Sequence, residues 1–163
     1  MMSSYVISHD VGTSSVKTAL VSDRGEVIAH HTSAYPFRYP KPGWVEQNPE
    51  DYWNGVVKNT RAIVNELNGD ISRIAGMVFS TQAMGIILLD KEGSVLHPNI
   101  TWVDGRAEEQ AQWLMRKLGG RKLFKKLIGA EITGKDVIPK LRWLKQNKPE
   151  IYNNADVILD VNG

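Results

Sequence analysis

Tyr5-Val6-Ile7-Ser8-His9-Asp10-Val11-Gly12-Thr13-Ser14-Ser15-Val16-Lys17 is the stretch from which the rest of the chain can be read. Tyr5 to His9 is an apolar run of strand length that ends on an acid, Asp10. A Gly-Thr-Ser-Ser turn follows, and Val16 to Val21 begins a second run. Asp23-Arg24-Gly25 turns the chain again, and Glu26 to Ala34 reads as a third strand, giving a meander. Gly12 lets a backbone approach a ligand closely, and turn N–H groups with the hydroxyls of Thr13, Ser14 and Ser15 can donate to phosphate oxygens, with Lys17 adding positive charge. Asp10 looks misplaced beside an anion, because two unit charges about 4 Å apart repel by roughly 4 kcal/mol at an effective dielectric near 20. A bridging Mg²⁺ turns that repulsion into attraction. An ordinary hairpin with a polar turn explains the same residues, and neither a Walker lysine motif nor a dinucleotide glycine fingerprint is present.

Outward from this hairpin, Tyr35 to Glu46 carries Pro36, Pro40, Pro42 and Gly43, which predict a loop, here one holding Tyr35, Phe37, Tyr39 and Trp44. Asn48 is a good N-cap, Pro49 suits the first helical position, and Glu50 and Asp51 suit the positive end of a helix. The helix they start has Tyr52, Trp53, Val56, Val57, Ile63, Val64 and Leu67 at helical spacing and ends at Asn68-Gly69. Ile74 to Phe79 and Ile86 to Leu89 read as strands, and Asp90-Lys91-Glu92-Gly93 as a turn. A second helix is expected over Ala107, Ala111, Leu114, Met115 and Leu118, stopped by Gly119-Gly120. Shorter helices are expected at Lys122 to Ile128 and Val137 to Gln146, and a last strand at Val157 to Val161.

The 163 residues, 42% of them apolar, suffice for one core of ordinary domain size. No run of about 18 apolar residues and no signal-peptide profile is present, so a soluble, cytoplasmic protein with no membrane partner is expected. Cysteine is absent and the four histidines, His9, His30, His31 and His97, are not spaced as ligands, which leaves carboxylates and phosphate oxygens for any metal. A net charge of +2 is no argument for nucleic acid. The basic residues from Arg116 to Lys126 alternate with Leu118, Leu123, Phe124 and Leu127 as on solvated amphipathic helices.

Across nearly its whole length the chain resembles the FGGY carbohydrate kinases, members of the actin-like ATPase superfamily, and xylulose kinases among them. Tyr5 to Lys17 is similar to the first phosphate loop of that family, and Pro42-Gly43-Trp44-Val45-Glu46-Gln47-Asn48-Pro49 to its Pro-Gly-Trp-x-Glu-Gln-x-Pro segment. Ser80-Thr81-Gln82-Ala83-Met84-Gly85 with Leu88-Leu89-Asp90 resembles the strand and turn lining the sugar pocket, and Ile100-Thr101-Trp102-Val103-Asp104-Gly105-Arg106 its Trp-x-Asp-x-Arg element. Pro139 to Lys145 is a fifth match, read as helix packing. The resemblance implies an α/β, ribonuclease H-like domain, a mixed sheet flanked by helices, with ATP and Mg²⁺ as cofactors. It places Asp10 near the metal and γ-phosphate, Gly12, Thr13, Ser14, Ser15 and Lys17 near the phosphates, and Gln82, Met84, Trp102, Asp104 and Arg106 near the sugar. Amides, carboxylates and guanidinium groups read polyols by hydrogen bonds, in keeping with those roles.

Two departures bear on the sugar: Met84 stands where xylulose kinases usually carry His, and Val103 where an Asn is usual. Glycerol kinases usually place Arg-Glu after the Gln of this turn, whereas Ala83-Met84 follow here. A ketopentose such as xylulose leads, with hexulose, gluconate-like acid or other polyol open, as is a homodimer. In the family the general base, an Asp, and the adenosine pocket lie beyond the point matching Gly163. Residues 1–163 are therefore expected to be the N-terminal part of the first domain, without the second ATP-binding lobe and without turnover alone. Two other classes compete: a sugar-binding or regulatory module descended from a kinase lobe, and a ribonuclease H-like nuclease, which needs further carboxylates for two metals.

Overall fold

The computed structural model describes residues 4–163. In chain order its elements are β1 (Tyr5–Val11), β2 (Ser15–Ser22), β3 (Val27–Ala34), β4 (Glu46–Gln47), α1 (Pro49–Glu66), β5 (Ile74–Thr81), β6 (Ile86–Leu89), β7 (Val95–Ile100), α2 (Glu108–Lys117), α3 (Arg121–Ile128), α4 (Val137–Asn147), α5 (Pro149–Asn154) and β8 (Val157–Leu159). A 3₁₀ turn, Ile71–Arg73, leads into β5. The fold is the mixed α/β arrangement expected, organised as two compact units.

The first unit holds residues up to Pro36 and Asn48–Gln82. Its sheet runs β3-β2-β1-β5, antiparallel through the meander and parallel between β1 and β5. Alternation sends Ile7, His9 and Val11 of β1, with Val16, Thr18 and Leu20 of β2, to one face, where they are buried. Helix α1 starts as the sequence predicts, with Pro49 in its first turn and the Asn48 side chain accepting from the Glu50 N–H. Its buried residues are Tyr52, Gly55, Val56, Asn59 and Ile63, and Ile63 joins Ile7, Leu20 and Ala29 in the core. Trp53, expected on the buried face, is 63% exposed and lines a groove with Val57, Met77 and Phe79. Polar groups under α1 are paired: Asn59 donates to the Val16 carbonyl at 3.0 Å and accepts from the Ser33 hydroxyl at 2.7 Å. His9 Nδ1 lies 2.9 Å from the Thr18 hydroxyl, its ring stacks on Phe79, and burial holds its pKa below the ordinary value.

The second unit comprises Phe37–Gln47 and Ala83–Val161. Its sheet runs β4-β7-β6-β8, all antiparallel. Strands β4 and β7 lie in stretches with no strand signal. β4 has two residues, and Pro98 interrupts β7 where the β6 ladder shifts register. The core is Ile86, Leu88, Ile100, Ala107, Trp143 and Leu144, with Trp44, Leu96 and Leu141 packed against it. Helices α2, α3 and α4 fall close to the predicted segments, α5 had no distinct signal, and β8 ends at Leu159, two residues early. Helix α3 buries none of its residues, in keeping with the solvated reading of its basic face. Among the described residues no helix is long and apolar enough to cross a membrane.

Candidate functional site

In the first unit the residues expected around phosphate gather at one end of β1. The Gly12 N–H donates to the Ser15 carbonyl at 3.0 Å, closing the turn between β1 and β2. Three further carbonyls are taken from inside the unit. Val11 accepts from the Gln82 N–H at 2.8 Å, Ser14 from the Tyr35 N–H at 3.2 Å, and Gly12 from the Tyr35 hydroxyl. With the carbonyls drawn inward, the exposed Ser14 presents the opposite side of the turn to solvent. The sequence pattern places Tyr35 only in an aromatic loop. Burial first, then Tyr52 and Asp10, pushes its phenol well above the usual range, so it stays a donor. A side-chain carbon at Gly12 would meet the Ser15 carbonyl only at ordinary contact distance, 3.4 Å, so packing inside the chain does not demand glycine there.

Asp10 pairs in register with Lys17 across the hairpin and with Ser80 on β5, so all three share the sheet face away from α1. Asp10 and Lys17 are exposed. Among the described residues no group of three His, Cys, Asp or Glu side chains could enclose a metal. Mg²⁺, however, keeps several waters and binds through one or two carboxylates plus phosphate oxygens, so one open carboxylate beside a turn of N–H donors fits that ion together with phosphate.

The residues expected near the sugar divide. Gln82 belongs to the first unit, while Met84, Trp102, Asp104 and Arg106 belong to the second. Within the second unit two of the motifs behind the resemblance are each other's partners. Asp104 Oδ2 accepts from the Val45 N–H at 2.5 Å, the Thr101 N–H and hydroxyl donate to the Val45 carbonyl at 3.1 and 2.9 Å, and the Gly105 N–H donates to the Gly43 carbonyl at 3.0 Å. Pro42-Gly43-Trp44-Val45 and the Trp102–Arg106 loop are stapled together by backbone and carboxylate.

Asp104 is wholly buried and is not the N-cap of the following helix, a position held by Ala107. Besides Val45, its carboxylate accepts from the Arg106 N–H and Nε, both at 2.9 Å, and from Arg106 Nη2 at 2.8 Å. Four donors use the capacity of two carboxylate oxygens. Arg106 Nη2 also reaches Glu46 Oε1 at 2.7 Å, and the guanidinium lies 4.0 Å from the centre of the Trp44 ring and 5.1 Å from that of Trp143. With none of its side chain exposed, Arg106 is far from the solvated first-turn residue its position would allow. Met84 and Trp102 are 41% and 40% exposed and are the open members of this group.

Two charged residues at this site are not among those the sequence assigns to it, although Lys140 lies in the fifth match, read as helix packing. Lys140 of α4 is fully buried, its ammonium donating to the Thr101 carbonyl at 2.8 Å and lying 3.4 Å from the Met84 carbonyl. Burial lowers its pKa to about 8, opposed by Asp104, Asp136 and Asp160. Asp160, just after β8, accepts from the Met84 and Gly85 N–H groups at 2.7 and 3.0 Å. Lys140 sits on an amphipathic helix and Asp160 in the stretch expected as the last strand, and only their partners, distant in sequence, give them a role.

Residues 5–162 match the FGGY family of carbohydrate kinases, N-terminal domain. The chain is 34% identical over 155 residues to a xylulose kinase of Bacillus subtilis (strain 168), covering 95% of this chain and 31% of that protein. It is 31% identical over 154 residues to a gluconokinase of the same organism, covering 94% of this chain and 29% of the relative. The crystal structure of xylulose kinase from Rhodospirillum rubrum superposes with a TM-score of 0.85 at 26% identity, over 97% of this chain and 32% of that one. The chain thus spans about a third of the length of the relatives it matches. With the ordered motifs and the hairpin turn, this match establishes that the chain belongs to the FGGY family of carbohydrate kinases.

Proposed function

We propose that the chain is the N-terminal part of the first domain of an ATP-dependent kinase that moves the γ-phosphate of MgATP to a hydroxyl of a sugar, a ketopentose such as xylulose. The observation that carries this reading is the β1–β2 turn, with its carbonyls bonded inward and the open carboxylate of Asp10 beside it, in a chain matched to the family from end to end. Asp10 would hold the magnesium ion, Thr13, Ser14, Ser15 and Lys17 the phosphate oxygens, and Gly12, whose N–H is bonded to the Ser15 carbonyl, would leave room for their close approach. Bound magnesium supplies charge neutralisation at the transferring phosphoryl group. Catalysis by these residues is positioning and electrostatic stabilisation, from donors fixed before the reaction by Tyr35 and the strand ladder.

On the acceptor side, Gln82, Met84 and Trp102 are assigned to the sugar. Asp104, its oxygens taken by Val45 and Arg106, holds the loop that presents Trp102, while Arg106, bonded to Asp104 and Glu46, keeps a buried Nη1 without a hydrogen-bond partner. Xylulose is favoured because that name recurs on more of the relatives, in sequence and in structure, than gluconate, which the gluconokinase and gluconate kinase relatives make the competitor. The general base and the adenosine pocket are assigned to sequence outside these residues, in a second lobe. A missing general base costs ~10²–10⁴ in rate, so this chain alone is expected to be inactive.

The test is a coupled ADP-release assay on the full-length gene product with MgATP and xylulose, gluconate or glycerol. Xylulose-dependent turnover that Asp10→Ala abolishes, with an unchanged circular dichroism spectrum, is the expected result. Normal turnover by Asp10→Ala, or no turnover with any of the three acceptors, overturns the assignment.

A further inference from the structure

Met84 has a backbone φ of +64°, one of two non-glycine residues with positive φ among those described. For a side-chain-bearing residue that left-handed conformation costs roughly 1–2 kcal/mol and persists only where the surroundings enforce it. Here both peptide groups are held by charged side chains from remote segments. The Met84 N–H donates to Asp160 Oδ2 at 2.7 Å, and the Met84 carbonyl faces the Lys140 ammonium at 3.4 Å. Neither side chain is free to drift. Lys140 is fully buried and anchored at 2.8 Å on the Thr101 carbonyl. Asp160 also accepts from the N–H groups of Gly85 at 3.0 Å and Val161 at 2.8 Å. The next residue completes the enclosure, since a side-chain carbon on Gly85 would lie 2.7 Å from Asn99 Oδ1 and 3.1 Å from Asp160 Oδ1.

We propose that Lys140 and Asp160 are positioning residues, a two-ended clamp that holds Met84 in its left-handed conformation and so sets the direction in which the side chain at this position meets the acceptor. The functional half of this inference rests on the kinase reading, and the conformational half stands without it. A buried lysine is costly to desolvate and a buried carbonyl is costly to leave bare, so the cluster is stable only when complete. Its effect on chemistry is indirect: neither side chain touches substrate, and both act through the Met84 backbone. Lys140 also reaches the loop that carries Trp102, so one ammonium ties both open acceptor residues to α4.

Amide hydrogen exchange of the full chain, comparing wild type, Lys140→Met and the milder Asp160→Asn, tests the clamp itself. Exchange at Met84 and Gly85 is expected to rise about tenfold or more in each variant while the β1 and β2 amides keep their wild-type rates. Should Lys140→Met fail to fold, Asp160→Asn decides the matter, because it keeps the shape and loses only the charged acceptor. Unchanged exchange at Met84 in a folded variant overturns the clamp. In the full-length gene product the same variants are expected to raise KM for the sugar about tenfold with KM for ATP unchanged. Equal shifts in both constants overturn the positioning role, whereas a wild-type protein inactive on every sugar overturns only the kinase reading and leaves the exchange result to judge the clamp.

Discussion

At the scale of single residues, the second unit shows how much of a site can be charge that never meets solvent. Asp104 accepts four N–H donors, Arg106 shares its guanidinium between two carboxylates and two indole rings, and Lys140 closes the group from α4. Removing one partner strands the rest. Asp104→Ala leaves a buried guanidinium short of its main acceptor and is expected to destabilise the unit by about 3–5 kcal/mol, read as a lower urea midpoint with little change in slope. A loss below about 1 kcal/mol would mean that water replaces the carboxylate and that the pair is only an exposed ion pair in its energetics. The resemblance to the family's Trp-x-Asp-x-Arg element marked Asp104 and Arg106. It covered Lys140 only as helix packing and left Asp160 inside the last expected strand, since a lysine on an amphipathic helix reads as solvated. What makes them different is the company they keep, from residues 76 and 56 positions away in the chain.

At the scale of elements, α1 was the most legible part of the chain and the packing beneath it the least. Asn48, Pro49 and the first-turn acids announced the start, and helical spacing announced Val56 and Ile63 as buried. Gly55 gave no such notice: a glycine inside a helix costs about 1 kcal/mol relative to alanine, so propensity alone would replace it. The structure reverses that expectation, because a side-chain carbon there would stand 2.9 Å from Val16 Cγ2 and 3.6 Å from Ser33 Cβ. Gly55→Ala is therefore expected to destabilise the first unit by roughly 1–3 kcal/mol, measured by thermal or chemical denaturation. A gain in stability instead would show that α1 can slide on the sheet. Strands β4 and β7 escaped the reading for a related reason. Both draw their definition from pairing, Glu46 with Ile100 and Gln47 with Asn99, and not from an alternating pattern of their own.

At the scale of the whole molecule, the order of motifs identified the family before any contact was known, whereas the division into two units was invisible, because no linker composition marks it. One exposed feature carries a consequence for handling the chain. β5 is the outer strand of its sheet, and Met77, Val78 and Phe79 on it are all more than half exposed. An apolar, unpaired edge is a template for a further strand. The isolated chain is expected to associate with rising concentration in sedimentation velocity, and Val78→Lys to suppress that association. Matching profiles for the two proteins would show the edge to be protected. A different consequence follows from the way the backbone alternates between the units, leaving the first after Pro36, returning at Asn48 and departing again after Gln82. On the ribosome, Glu46 and Gln47 emerge well before β7, their partner strand, so apart from the Arg38–Glu46 bridge this short piece must wait while α1 and β5 are synthesised. Vectorial synthesis thus gives the meander its chance to form early and defers the Glu46–Arg106–Asp104 network to a late, post-emergence step, which makes nascent-chain arrest ahead of β7 the moment of greatest exposure to proteases and chaperones.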